Sequence, residues 1–577
     1  MNSQNPIYTE LTRCQDCYKC VRACPVKAIR VEDERAAVEA ARCVYCGTCV
    51  NVCPVGAKKV RDDLGRARLL MRRRERVVLS LAPSWVTEWP GVRPGQMVRA
   101  LKLLGFAAVS ETALGAEEVS AACGALLDRA GRGVFISTAC PSVVDYIRKF
   151  RPGLARFLVP YLSPMLAHAQ VLRRELGDDI GVVFLGPCIA KKTEADDRPE
   201  LVDVVLTYPS LHRWFEEAGI VPSALQEGPE DELVPRRAGQ GVLYPMDGGM
   251  NRGISASGHG ATASLLAFSG MGAVEAALEG LEDADPEPAL FLELLACEGG
   301  CVNGPRAARA QGTALKRLAV ERGLDEALPV PVQPEVDLRR AYPADPVELP
   351  AFHEAEIQKA LRRLGKSTPE DELNCGGCGY DTCRNLARAL LEGRAETSMC
   401  VSYMRKLAMN KANALIRAMP SGFVIVDENL EIVECNRRFA EVLGGDTVTV
   451  YDARPGMAGA SLAKVAPFQN LFADALDTEE EVLSRDVRLG GRVVRLTVFP
   501  IEREHLVGGI LHDITEPAFQ RDQIIQKAEE VIRKNVTTVQ QIAYLLGENA
   551  AETEMTLDSI IDSFRLVPPG APEQREG

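Results

Sequence analysis

The chain has 577 residues, a hydrophobic content of 46% and a formal net charge of −13. That length allows about three to five domains with sizeable cores. The acidic balance excludes a general nucleic-acid binder, whose surface would be basic. Eighteen cysteines are too clustered for a disulfide scaffold. The start, MNSQNPIYTEL, is polar and lacks the apolar segment of a signal peptide. No stretch of about 18 apolar residues marks a membrane span. A reducing cytoplasm is therefore expected, with no membrane partner. There, clustered cysteines bind metal more often than they pair.

Residues 1–62 carry two cysteine repeats, Cys14-x2-Cys17-x2-Cys20-x3-Cys24-Pro25 and Cys43-x2-Cys46-x2-Cys49-x3-Cys53-Pro54. Three closely spaced cysteines wrap one cubane cluster, and the fourth, before proline, crosses to the other. Cys14, Cys17, Cys20 and Cys53 are thus expected to hold one 4Fe–4S cluster, and Cys43, Cys46, Cys49 and Cys24 a second. Zinc knuckles are the alternative, disfavoured by the duplicated Cys-Pro. The pattern resembles bacterial two-cluster ferredoxins, which implies electron relay. The basic run Arg66–Arg76 that follows reads as a solvated helix face, or as a docking patch for an acidic electron carrier.

From 77 to 345 the pattern alternates. The apolar runs VVLSLAP, GVFIS, GVVFLGP and PALFLELLAC are separated by helix-like segments, an α/β signature. Each run ends near Cys or Pro, where open α/β sheets place their ligands. Residues 326–351 hold six prolines and read as an extended linker outside any core. A helix is expected from Glu354 to Leu364. Residues 352–405 hold Cys375-x2-Cys378-x4-Cys383-x16-Cys400, residues 411–516 read as strands and turns, and 518–564 as one long helix. The tail 565–577 reads as disordered.

Cys140 in STACPSVVDYI, Cys188 in FLGPCIAKKTE, and Cys297 and Cys301 in LLACEGGCVNGP together resemble the three signature loops of the FeFe-hydrogenase large domain. LAPSW at 81–85, ALKLLGFAAVSETALGAEE and the SPM of 163–165 agree. The resemblance implies an active centre, the H-cluster, in which a 4Fe–4S cube joins a two-iron unit carrying CO, cyanide and a dithiolate. It places Cys140, Cys188, Cys297 and Cys301 on the cube, with Cys301 bridging to the two irons. Lys191 would contact a cyanide, and Pro83 and Ser84 would lie near the dithiolate. Glu194 completes the KKxE pattern and is expected to cap or pair locally. The departures are informative. Ala139 stands where proton-transferring members have a cysteine, and an alanine methyl cannot carry a proton. Gly186 and Leu295 stand where the family has packing methionines. No glutamate relay is placed by motif, and Cys123 reads as a plain buried cysteine.

The third cysteine group resembles the small helical CGxCG iron–sulfur domain, giving a further cluster on Cys375, Cys378, Cys383 and Cys400, with zinc as the alternative. MPSGFVIVDENLEIVECNRRFAEVLG and LVGGILHDITE resemble a PAS sensor fold. Its ligand is open (haem, flavin or none), and His505 and Cys435 are read as structural rather than as ligands. Beyond it, Ile525, Ala528, Ile532, Asn535, Val539, Ile542 and Leu546 form a heptad seam. Two readings fit it: packing on the chain's own PAS domain, or a parallel homodimer. The seam carries no histidine of the kinase phospho-acceptor type, so output is expected to pass to a separate protein.

The expected architecture is multidomain α/β and α+β: a ferredoxin-like module with two clusters, a two-lobed α/β hydrogenase domain, a small helical iron–sulfur domain, a PAS fold and a C-terminal helix. The expected function is a sensory iron hydrogenase reacting slowly and reversibly with H2. Its partners would be H2 and protons, an external carrier such as ferredoxin, hydrogenase maturation proteins and a separate signalling protein. The alternatives are a working hydrogenase tuned by PAS, and a non-enzymatic hydrogenase-like protein without the two-iron unit.

Overall fold

The computed structural model describes residues 5–328, 330–477, 483–502 and 505–515. The helix expected over 518–564 and the tail lie outside the described residues. The chain divides into two units, Met1–Ile357 with Gly379–Ala395, and Gln358–Cys378 with Glu396–Gly577. Each is described by itself.

In the first unit, each N-terminal repeat ends in a short helix, Lys19–Ala23 and Thr48–Val52. Two antiparallel strand pairs flank them, Ile29–Glu32 with Arg35–Val38 and Ile7–Thr9 with Lys58–Val60. The cysteine loops turn through positive φ at Asp16 (52°), Tyr18 (54°), Tyr45 (52°) and Gly47 (78°). Left-handed geometry costs a non-glycine residue about 1–2 kcal/mol. Mixed with right-handed residues, it turns successive N–H groups into a concavity suited to an anionic cluster.

Two parallel sheets form the centre. One has four strands in the order Ala108–Glu111, Val77–Leu81, Gly181–Gly186, Val204–Thr207. The other has three, in the order Ser264–Ser269, Leu290–Leu295, Val134–Ile136. Every residue of Val77–Leu81 and Gly181–Gly186 is buried, as continuous apolar runs in covered parallel sheets should be. The loops after Val134–Ile136, Gly181–Gly186 and Leu290–Leu295 carry Cys140, Cys188, Cys297 and Cys301.

The 18-residue helix Ala113–Ala130 crosses the helix Pro164–Leu176 closely. A Cβ on Gly115 would lie 2.4 Å from the amide of His168. His168 is fully buried, with Nδ1 2.8 Å from Ser80 Oγ and Nε2 2.8 Å from Ser110 Oγ. Burial lowers its pKa to about 3, so the folded domain holds it neutral. The unfolded chain binds the proton from about pH 6.5 downward, and stability is therefore lost as pH falls from about 6.5 towards 3. The expected slope from this group is about 1.4 kcal/mol per pH unit within that window. Denaturant unfolding of the parent and of His168→Gln between pH 7 and 4 checks it. A parent slope that His168→Gln leaves intact would assign the acid sensitivity to other groups.

One sequence expectation is corrected. The proline-rich segment is extended but docked: Leu338 is 3% exposed and packs into the main core. Prolines forbid helix there but leave alternate side chains free to bury. The basic run is a solvated face as expected, with Arg66, Arg72, Arg73, Arg74 and Arg76 exposed, and two of its arginines are also paired. On the helix Leu64–Arg73, Arg66 meets Asp63 and Asp196, and Arg68 meets Glu217 and stacks on Trp214.

The second unit contains a five-stranded antiparallel sheet, in the order Ile432–Cys435, Gly422–Asp427, Leu506–Asp513, Arg492–Glu502, Leu483–Leu489. Asn436, 1% exposed, joins its opening strands to the helix Arg437–Leu443. Its Oδ1 accepts from Phe423 and Phe439 amides, both at 2.9 Å, and its Nδ2 donates to the Ile416 and Ser421 carbonyls. Cys435 is buried in the apolar core, with its thiol against the Gly456 carbonyl. His505 is surface-exposed beside Glu428.

Candidate metal centre

The N-terminal cysteines gather into the two sets expected from their spacing. The Cys20 thiol is pushed up to about 11, first by burial and then, after a lowering by Lys58, by Cys17, Cys14 and Cys53. Cys43 is pushed up to about 12 by burial, partly offset by the Tyr45 amide, with Cys46 and Cys24 adding to it. Cys49 is raised by burial and by Cys43, Cys46 and Cys24. The two halves also share a detail. The Ala28 amide donates to Cys24 Sγ at 3.2 Å, and the Ala57 amide to Cys53 Sγ at 3.1 Å. Amide bonds of this kind to cluster sulfurs help set reduction potential.

Cys140, Cys188, Cys297 and Cys301 line one small cavity between the two central sheets, with Tyr45, Cys46 and Leu295 on its wall. Burial raises all four thiols, Cys188 to about 11. Cys297 is raised further by Cys301, Cys188, Cys140 and Cys46, in that order. Lys191 opposes the rise at Cys140, Cys188 and Cys301. Four cysteines facing one cavity are a soft donor set that a four-iron cube, which binds them as thiolates, would fit. Among the described residues no three His, Cys, Asp or Glu side chains close on a single ion.

Close packing brings the N-terminal module to this cavity. A Cβ on Gly47 would lie 2.4 Å from Pro305 Cβ and 2.9 Å from Ile189 Cδ1. Only glycine lets the Cys46–Cys49 loop press against the loops that carry Cys188 and Cys301. Cys46 and Cys297 also face a larger cavity of about 560 Å³.

Lys191 is 8% exposed, which settles against a surface lysine. Its Nζ donates to Ser163 Oγ at 2.8 Å and to Glu194 Oε2 at 2.7 Å, and lies 3.4 Å from the Ala139 carbonyl. Its neighbour Lys192 is fully buried and turned the other way, onto Asp63 at 2.6 Å. Ser84 is 1% exposed, and its hydroxyl meets Tyr208 Oη at 2.6 Å. Ala139 carries no titratable group, and its amide bonds Ser137 Oγ at 3.2 Å. The missing methionine at Gly186 has a local cause. A Cβ there would stand 2.8 Å from the Phe184 ring, which fills the space.

Three residues near the site escaped the sequence reading. Tyr208 follows the strand Val204–Thr207; burial holds its phenol neutral, and it lies near enough to Cys301 for the two to interact electrostatically. Glu293 is 1% exposed, and burial pushes its carboxyl up to about 7 although backbone amides at the start of the helix Gly249–Ala256 donate to it. Arg340 reaches Glu194 from the proline-rich segment. Tyr208 could have been suspected from its place at a strand end, and Glu293 as the lone charge in LFLELL. Arg340 had no signal.

The third cysteine group falls across the division of the chain. Cys383, in the first unit, begins the helix Cys383–Leu391, capped by Thr382 Oγ1 on the Asn385 amide. After that helix the Arg394 carbonyl accepts from the Val31 amide, and Arg394 Nη1 donates to the Lys27 carbonyl. Cys375, Cys378 and Cys400 lie in the second unit, the first exposed and the other two buried.

Residues 75–305 match the family of the iron-only hydrogenase large subunit, C-terminal domain. Residues 13–57 match a 4Fe–4S dicluster domain, 371–402 a putative Fe–S cluster domain and 416–518 a PAS fold. A periplasmic Fe hydrogenase large subunit from Nitratidesulfovibrio vulgaris is 26% identical over 262 residues, spanning 37% of this chain and 62% of that protein. An FeFe-hydrogenase structure from Chlamydomonas reinhardtii is 20% identical with a TM-score of 0.39, covering 50% of this chain and 100% of that one. The PAS domain of a Bordetella pertussis protein is 20% identical with a TM-score of 0.15, covering 22% of this chain and 98% of that one. The molecule is thus an iron–sulfur protein of mixed α/β build. More particularly, it joins a ferredoxin-like module and a segment similar to the iron-only hydrogenase large-subunit domain to a PAS fold. Among the described residues no helix is long and apolar enough to cross a membrane.

Proposed function

We propose that this chain is a sensory FeFe-hydrogenase of the cytoplasm. It reacts slowly and reversibly with H2 and passes the redox change through its clusters to the PAS fold and a separate signalling protein. The observation that carries this reading is the pairing of an intact thiolate set with an inert neighbour. Four half-buried cysteines face one cavity beside Cys46, yet Ala139 offers no proton-carrying side chain. When bound, the two-iron unit supplies the reversible conversion of H2 to protons and electrons. The chain's part is to hold the cube through Cys140, Cys188, Cys297 and Cys301, to anchor the unit through Cys301, and to aim Lys191 at its anionic ligands. Cys46, next to Cys297, supports electron exit through the N-terminal clusters towards a carrier such as ferredoxin. Loading the unit requires hydrogenase maturation proteins.

Infrared spectroscopy after co-expression with those maturation proteins tests the reading. CO and cyanide stretches that respond to H2 are expected, and their absence would favour a non-enzymatic protein. A second expectation concerns stoichiometry. Sixteen of the eighteen cysteines are assigned, four to each of four cubes. Anaerobically reconstituted protein should hold roughly 16 iron and 16 sulfide per chain before the two-iron unit is added. A shortfall of one cube, with zinc in its place, would overturn the assignment of Cys375, Cys378, Cys383 and Cys400.

A further inference from the structure

The proline-rich segment is fastened along the first unit as a strap. The Glu335 amide donates to Glu118 at 2.6 Å, and the Leu162 amide to the Leu338 carbonyl at 2.7 Å. The Arg340 amide donates to the Pro160 carbonyl at 3.0 Å. Tyr342 Oη and Thr138 Oγ1 both donate to the Tyr161 carbonyl, each at 2.8 Å. Further on, the amides of Asp345 and Val347 donate to the carbonyls of Arg148 and Lys149. The strap therefore lies over the loop that leads to Cys140 and over the far end of the helix Pro141–Phe150.

One strap side chain reaches the other active loop. Arg340, its side chain 14% exposed and stacked on Tyr342, places Nη1 3.5 Å from Glu194 Oε1. The second oxygen of Glu194 accepts from Lys191 at 2.7 Å. A buried carboxylate is thus shared between two cations, with Asp197 and Asp145 also close by. Sharing matters in a site of low dielectric, where an unbalanced charge is costly.

We propose that Arg340 is a positioning residue, which holds one oxygen of Glu194 so that the other aims Lys191 at the space bounded by Cys140, Cys188 and Cys301. The proposal rests on the reading of Lys191 as the cation of that site. Without Arg340, both Glu194 oxygens can close on Lys191, and the acids at 145, 194 and 197 lose a counter-charge. Less positive charge is then felt at the cube.

The test needs only the cubes. An EPR-monitored redox titration follows the cube on Cys140, Cys188, Cys297 and Cys301 in the full chain, and hydrogen exchange follows the Asp345 and Val347 amides. Arg340→Gln should shift the midpoint potential downward with the strap amides still protected, and Arg340→Lys should restore it. The shift should shrink in a Lys191→Met background, since coupling of this kind appears as non-additivity. No shift, a shift of equal size without Lys191, or a shift seen only when the strap amides lose protection would each overturn the proposal. If Lys191→Met alone leaves the potential unchanged, the reading of Lys191 falls and the proposal with it. If Lys191→Met moves the potential and Arg340→Gln does not, the proposal alone falls.

Discussion

Cys301→Ser should abolish stable anchoring of the two-iron unit while leaving the N-terminal clusters in place. In the proposed site Cys301 is the only protein thiolate shared between cube and unit, so no neighbouring ligand can take over. Its position is tightly fixed. It opens the short turn Cys301–Asn303, and Gly300 before it stands at φ 95° with no room for a side chain. A Cβ on Gly300 would lie 2.3 Å from the Pro245 carbonyl oxygen. Serine keeps the shape but replaces a soft, polarisable sulfur with a hard oxygen, which suits iron–sulfur chemistry poorly. The expected result is loss of the CO and cyanide infrared bands after maturation. Cluster signals from the cysteines of residues 14–53 should persist. Bands identical to those of the parent would show that the LLACEGGC loop has been misassigned.

The parts of this molecule that sequence makes legible are those where chemistry imposes spacing. A cube needs three cysteines within one tight loop, so Cys14, Cys17 and Cys20 announce themselves, and the Cys-Pro partners follow. Parallel strands covered on both faces must be apolar throughout, so VVLSL and GVVFLG are visible as strands. Ala108–Glu111, by contrast, is short and half polar, and its strand character comes from pairing with Val77–Leu81. The strap was misread for a related reason. Proline content reports that a segment cannot be helical, but not whether it docks, and docking here depends on Leu338, Arg340 and Tyr342 meeting distant partners. Lys191 could be picked out by motif, whereas the partners that orient it come from 28 residues earlier, at Ser163, and 149 later, at Arg340. The ring of Phe184 in the space beside Gly186 is likewise a matter of packing, which a motif comparison sees only as a lost methionine.

Ala139→Cys should raise hydrogen turnover, and the unmodified protein should be slow because proton delivery limits it. A proton-carrying group must stand within hydrogen-bond reach of the reacting atoms, directly or through one water, and such help is typically worth about 10²–10⁴ in rate. The alanine side chain supplies none of it. The surroundings make the deficit deeper than one residue. Ser137 Oγ, which bonds the Ala139 amide, donates its own proton to Met250 Sδ at 3.0 Å. A thioether accepts weakly and has no proton to pass on, so the path stops there. The buried carboxyl of Glu293 is engaged instead by the amides that begin the helix Gly249–Ala256. Lys191 donates to Glu194 and Ser163 and is proposed to hold charge, not to shuttle it. A thiol at 139 would therefore restore the inner donor without restoring a full chain to solvent. The gain expected is at or below the lower end of the roughly 10²–10⁴ range. Hydrogen evolution and oxidation are to be measured for both forms with the two-iron unit loaded to the same infrared-determined extent. A solvent isotope effect larger in the parent than in Ala139→Cys should accompany the change, because proton delivery to the reacting atoms limits the parent more. Fast turnover by the unmodified protein, equal to that of the cysteine form, would remove the basis for a slow sensor and leave a working hydrogenase with a PAS fold attached.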